Sequence, residues 1–169
     1  MSIYEHNSNA LPWREAGAII ELVPLDDVGQ IDLKALEQLL IRYKDYKSLK
    51  VAAISAGNNI TGNIVDVDRV AVLCHRWGTK AVFDYAAVAP YIPINVGGIT
   101  PGLSDHFGFS PIPQADRCLA YKDAVYFSPH KLIGGPQSSG ILIAKKSALL
   151  SKKPARAGGG IVFFVDEIS

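Results

Sequence analysis

Little cysteine, no surplus of charge and no long apolar run mark this chain of 169 residues. The two cysteines, Cys74 and Cys118, stand far apart and lack CxxC spacing. A metal site is therefore not expected, and so sparse a pair suits a reducing compartment, most simply the cytoplasm. The net charge is +1 and the basic residues are scattered, so neither nucleic acid nor an anionic membrane is an expected partner. Only Lys145, Lys146, Lys152 and Lys153 approach a basic run, which reads as solvated surface. No apolar stretch reaches the roughly 18 residues of a membrane span. The opening MSIYEHNSNALPW has no basic segment followed by an apolar one, so no secretion signal is expected. No GxGxxG follows a strand and no GxxxxGK[ST] occurs, which sets aside a simple nucleotide-binding domain.

What is present is ordinary globular material, with 49% apolar and 20% charged residues. Residues 18–25 (AIIELVPL) read as a strand, and Gly29 and Gln30 as a turn. Asp32 is a plausible N-cap for a helix carrying Leu33, Leu36, Leu39 and Leu40 at helical spacing and ending near Tyr43. Short apolar runs at 50–55, 80–83, 124–127 and 140–144 read as buried strands. Between the first two, Asp66 or Asp68 caps a helix whose core face is Val67, Val70, Ala71 and Cys74. Strands alternating with helices predict an α/β fold, a three-layer αβα with a mostly parallel sheet. In such sheets ligands bind at the carboxyl ends of the strands. Asn58, Asn59, Asp84, Ser128, His130 and Lys131 fall there. Residues 93–117, rich in Gly and Pro and without period, read as a surface insertion.

Two residues suggest chemistry. Lys131 directly follows an apolar strand and precedes Gly134 and Gly135. In an enclosed site a lysine loses its proton and forms a Schiff base with an aldehyde; a surface lysine in a turn is the plainer reading of the segment alone. Asp84 ends a buried run, where a carboxylate pairs with a protonated ring nitrogen. It also stands where a helix N-cap would need it, just before Ala86 and Ala87.

Taken together, Glu5-His6-Asn7-Ser8-Asn9 with Pro12-Trp13, then residues 55–62 (SAGNNITG), Asp84, and Ser128-Pro129-His130-Lys131 with Gly134-Gly135-Pro136 resemble the class V aminotransferase and cysteine desulfurase family. The resemblance implies the large domain of a fold-type I pyridoxal-phosphate enzyme acting on an amino-acid substrate. By it, Lys131 holds the cofactor, Asp84 pairs with the pyridine nitrogen and His6 stacks on the ring. Ser128 and His130 bind the phosphate, and Asn59 lies near the cofactor and the substrate carboxylate. Lys131 and His6 are the catalytic candidates. A homodimer in a full-length member is also implied.

The departures are specific. Ala87 stands where the family often has a glutamine for the ring hydroxyl, which argues against a standard desulfurase. Ile161 stands where a phosphate-binding threonine is usual, and isoleucine cannot make that hydrogen bond. The family's upstream phosphate loop and downstream small domain have no counterpart here. Cys74 and Cys118 both precede Lys131, so neither occupies the place of the desulfurase nucleophile. The whole chain thus reads as part of a large domain. Either it is an enzyme core working through Lys131, or it is a non-catalytic remnant that needs missing segments or a partner. These 169 residues alone are expected to be inactive, and exposed apolar surface is expected to favour self-association.

Overall fold

The computed structural model describes residues 1–149 and Ser151. Four strands make one sheet in sequence order: β1 (Val51–Ser55), β2 (Lys80–Asp84), β3 (Ala124–Phe127) and β4 (Ile141–Ala144). β1, β2 and β3 run parallel, and β4 closes on β3 antiparallel. The expected mostly parallel sheet is observed.

Helices α1 (Asn7–Glu15), α2 (Leu33–Arg42) and α3 (Val67–Arg76) supply the packing. Asp32 caps α2 as its sequence position predicts, its Oδ1 accepting from Lys34 N at 2.9 Å and Ala35 N at 3.0 Å. The helix then buries Leu36 and Leu40. Asp32→Ala is expected to lower the unfolding free energy by about 1 kcal/mol. A urea titration reads this as a lower midpoint; an unchanged midpoint would mean that packing alone holds α2. Of the two candidate caps for α3, Asp66 serves, accepting from Arg69 N at 3.0 Å. Val67, Val70, Ala71 and Cys74 are fully buried, and burial pushes the Cys74 thiol up to about 12.

Asp68 has another task. Its carboxylate pairs with Lys122, which is fully buried just before β3, and accepts from Thr100 N at 2.8 Å. At the amino ends of the strands Asp123 accepts from Ala81 N at 2.9 Å, Lys80 Nζ at 3.0 Å and His75 Nε2 at 2.8 Å. Burial pushes the Asp123 carboxyl up, but these donors together carry it below the usual carboxylate range.

Two expectations change. Residues 18–25 do not form a strand: Val23 and Leu25 make only isolated bridges, to Ser2 and Ile31. Pro24 has no N–H to give a ladder, and Ile19 and Leu22 face solvent. Residues 93–117 are not structureless. They hold α4 (Leu103–Phe107) and a 3-10 turn at Gln114–Leu119. Thr100 and Leu103 are buried: Asp68 and Lys122 supply the polar partners of Thr100, and Leu103 joins the apolar core. β4, by contrast, leaves Ile141, Leu142 and Ile143 exposed. Among the described residues no helix is long and apolar enough to cross a membrane.

Candidate functional site

Parallel register sets Ser55, Asp84 and Tyr126 side by side at the carboxyl ends of β1, β2 and β3. In-register residues share a face of the sheet, so the three side chains form one row with Asp84 in the middle. The Asp84 residue is 4% exposed, and its Oδ1 accepts from Ala86 N at 2.8 Å. A turn, not the expected helix, follows Asp84 and is closed by this bond. Burial raises its carboxyl above the ordinary range, the Ala86 N–H opposes this, and the neighbouring Glu5 charge raises it further. Lys131 and His6 are near enough for their positive charge to lower it.

Lys131 ends a 3-10 turn, Pro129–Lys131, beyond β3 and is exposed. Its ammonium has no hydrogen-bond partner among the described residues. The turn closes through Lys131 N to Ser128 O at 3.0 Å and Gly135 N to Leu132 O at 2.9 Å. A Cβ on Gly135 would lie 1.9 Å from Pro129 O, so this position admits only glycine. Ser128 is half-buried and His130 exposed in the same turn.

His6 caps α1, its Nδ1 accepting from Ser8 N at 3.2 Å and lying 2.8 Å from Ser8 Oγ. Acceptance at Nδ1 assigns a neutral ring's proton to Nε2. After β1, Asn58 Oδ1 accepts from Ile60 N at 2.7 Å and Thr61 N at 2.9 Å. Asn58 is buried, and Asn59 beside it is exposed. A Cβ on Gly57 would meet Val88 Cγ1 at 2.4 Å, so this loop presses on the turn that follows Asp84.

Ala87 packs against the apolar core and offers no hydrogen bond. Ile161 lies outside the described residues. No group of three or more potential metal ligands occurs among the described residues. An apolar groove of about 400 Å³ lies along the free edge of β1, lined by Trp13, Ile20, Leu36, Leu40 and Val51. It includes neither Asp84 nor Lys131.

Sequence reasoning missed Glu5, Asn9 and Tyr126. Glu5 Oε2 accepts from Ser55 N at 2.9 Å, Ser55 Oγ at 2.6 Å and Asn9 Nδ2 at 2.7 Å. Asn9 Oδ1 in turn accepts from Tyr126 Oη and Trp13 Nε1. The available signal was the i, i+4 spacing of Glu5 and Asn9 around His6.

By fold the chain is an incomplete αβα large domain of the pyridoxal-phosphate enzymes. The crystal structure of the cysteine desulfurase CsdA from Escherichia coli matches with a TM-score of 0.67 at 25% identity, covering 98% of this chain and 36% of that one. A NifS-like protein from Rickettsia africae matches in fold with a TM-score of 0.66 at 24% identity, over 95% of this chain and 37% of that one. The sequence model of the aminotransferase class-V family matches residues 1–100, and the chain belongs to that family, whose members depend on pyridoxal phosphate.

Among curated relatives, a probable cysteine desulfurase of Halalkalibacterium halodurans is 30% identical over 165 residues, which are 95% of this chain and 34% of that protein. A probable cysteine desulfurase of Mycolicibacterium paratuberculosis is 29% identical over 162 residues, 94% of this chain and 20% of that protein. The chain thus spans about a third or less of these relatives' length.

Proposed function

We propose that the chain carries the cofactor core of a pyridoxal-phosphate enzyme acting on an amino acid. The observation that carries this reading is the buried Asp84 carboxyl at the carboxyl end of β2, with the Lys131 turn leaving the carboxyl end of the neighbouring β3. The residues fit the cofactor's chemistry. Lys131 supplies an exposed amine for the aldehyde. Asp84 supplies an anion for the ring nitrogen, which that pairing keeps protonated. His6 covers the ring, Ser128 and His130 hold the phosphate, and Asn59 faces the substrate carboxylate. When bound, the cofactor withdraws electrons from the substrate's alpha carbon. Lys131, once displaced by substrate, is the base that takes the alpha proton.

Cysteine is a candidate substrate through the desulfurase relatives. Cys74 does not qualify as a sulfur-accepting nucleophile, because it is fully buried with its thiol raised. We place the protein in the cytoplasm, where free Cys74 and exposed Cys118 stay reduced. A homodimer is the proposed assembly.

A second reading is a relative that keeps the pocket without turnover. Ala87, apolar where a hydrogen-bond partner would serve the ring hydroxyl, favours it.

The test is an absorption spectrum of the chain with pyridoxal phosphate, beside Lys131→Ala. A visible band lost in the variant is expected. No band, or the same band in both proteins, would overturn the cofactor reading.

A further inference from the structure

We propose that Glu5 is the positioning residue of this site: by bridging Ser55 to Asn9, it holds His6 above Asp84. The ring-covering role of His6 rests on the cofactor reading, but the clamp itself does not.

The geometry follows from the row at the strand ends. Ser55 and Tyr126 flank Asp84 in register, one on each neighbouring strand. Glu5 fastens the N-terminal segment to Ser55 through both the amide and the hydroxyl. Asn9 fastens it to Tyr126 on the other side. Glu5 and Asn9 are joined to each other at 2.7 Å. The segment therefore straddles β2, and His6, between its two anchors, stands over Asp84.

Every contact that Glu5 makes is as an acceptor. Besides Asn9 and Ser55, it takes hydrogen bonds from Ser2 N and Ser2 Oγ. A carboxylate accepts at both oxygens, whereas a glutamine must turn an NH2 toward one group of donors. The position thus demands a carboxylate. Its charge also acts on Asp84. Of the charged groups reaching that carboxyl (Glu5 and His6 from the N-terminal segment, Lys131 from beyond β3), Glu5 has the largest effect and is the only one that raises it. The neutral Tyr126 hydroxyl completes the surroundings.

The decisive variants are Glu5→Gln and Glu5→Asp in the full chain. Without cofactor, NMR follows the Asp84 carboxyl titration and hydrogen exchange at the Ser55 amide. Glu5→Gln is expected to lower the Asp84 midpoint and to speed Ser55 exchange several-fold. Glu5→Asp keeps the charge but falls short by one methylene, so only the exchange should change. With pyridoxal phosphate, both variants should keep the absorption band and lose most of its induced circular dichroism, which reports a fixed ring. If Glu5→Gln leaves the Asp84 titration and the dichroism unchanged, Glu5 is a mere anchor and the proposal fails. Should Glu5→Gln not fold, Ser55→Ala removes one donor and is expected to weaken the dichroism; unchanged dichroism would equally overturn the clamp. A wild-type chain with no cofactor band would sink the cofactor reading alone, because the Asp84 and Ser55 measurements still decide for or against the clamp.

Discussion

Replacing Lys122 by methionine is expected to cost about 3–5 kcal/mol, a large share of the stability of an ordinary domain. Lys122 is fully buried, and its ammonium donates to the Asp68 carboxylate, to Gly98 O at 2.7 Å and to Thr100 Oγ1 at 3.2 Å. Methionine fills the space but leaves the 4% exposed Asp68 charged without its cation. Asp68 sits in the first turn of α3, where the helix dipole favours an anion. That favour is worth only about 0.3–1 kcal/mol, too little to offset the loss. The same contacts tie residues 98–100 to α3 and to the entry of β3, so the site's third strand should loosen as well. Chemical denaturation checks this, and a loss below about 1 kcal/mol would show that the pair behaves like a surface one. Adding Asp68→Leu to Lys122→Met should recover only part of the loss. The Thr100 amide would still be buried without a partner, at about 1–3 kcal/mol, and the half-buried Gly98 carbonyl would lose its donor.

Gly135→Ala should abolish cofactor attachment while sparing most of the fold. The added Cβ would sit 1.9 Å from Pro129 O, 2.8 Å from Pro129 C and 3.0 Å from Leu132 O. These are backbone atoms of the turn that carries Lys131, so the turn itself must open. Overpacking of this kind costs about 1–3 kcal/mol, and the displaced part is the lysine. The expected result is loss of the visible band at pyridoxal phosphate concentrations that saturate the wild type, with far-UV circular dichroism retained. Gly134→Ala is the control. Gly134 has φ +77° with nothing within 4 Å of an added Cβ, so it meets only backbone strain of about 1–2 kcal/mol. Equal loss in both variants would mean that general strain, not displacement of Lys131, controls attachment.

Much of the fold was readable because its signals are local. Asp32 and Asp66 precede helices whose apolar residues recur at helical spacing, and both cap as expected. The four apolar runs are the four strands. Residues 18–25 misled because an apolar run does not reveal whether a neighbour is present to complete its ladder. Residues 93–117 misled because their order comes from Asp68 and Lys122, far away in sequence. At the site, Lys131, Asp84, His6 and Asn59 were proposed from motif order, and the structure adds that Asn58 closes the turn in which Asn59 is exposed. Glu5 and Asn9 showed only their spacing around His6, and Tyr126 only its place in an apolar run; what joins them is contact across 50 and 117 residues.

The two anchors of the N-terminal segment differ in how far they reach along the chain. Glu5 meets Ser55 across 50 residues, and Asn9 meets Tyr126 across 117. During synthesis His6 emerges before β3 and has no fixed seat until β3 has left the ribosome. Its lid over Asp84 is therefore among the last parts to form, after the local helices and the first parallel pair. Closing so long a loop costs entropy that only the assembled row of Ser55, Asp84 and Tyr126 returns. A nascent chain arrested before Tyr126 would own every residue of the clamp's N-terminal half and still leave Asp84 uncovered.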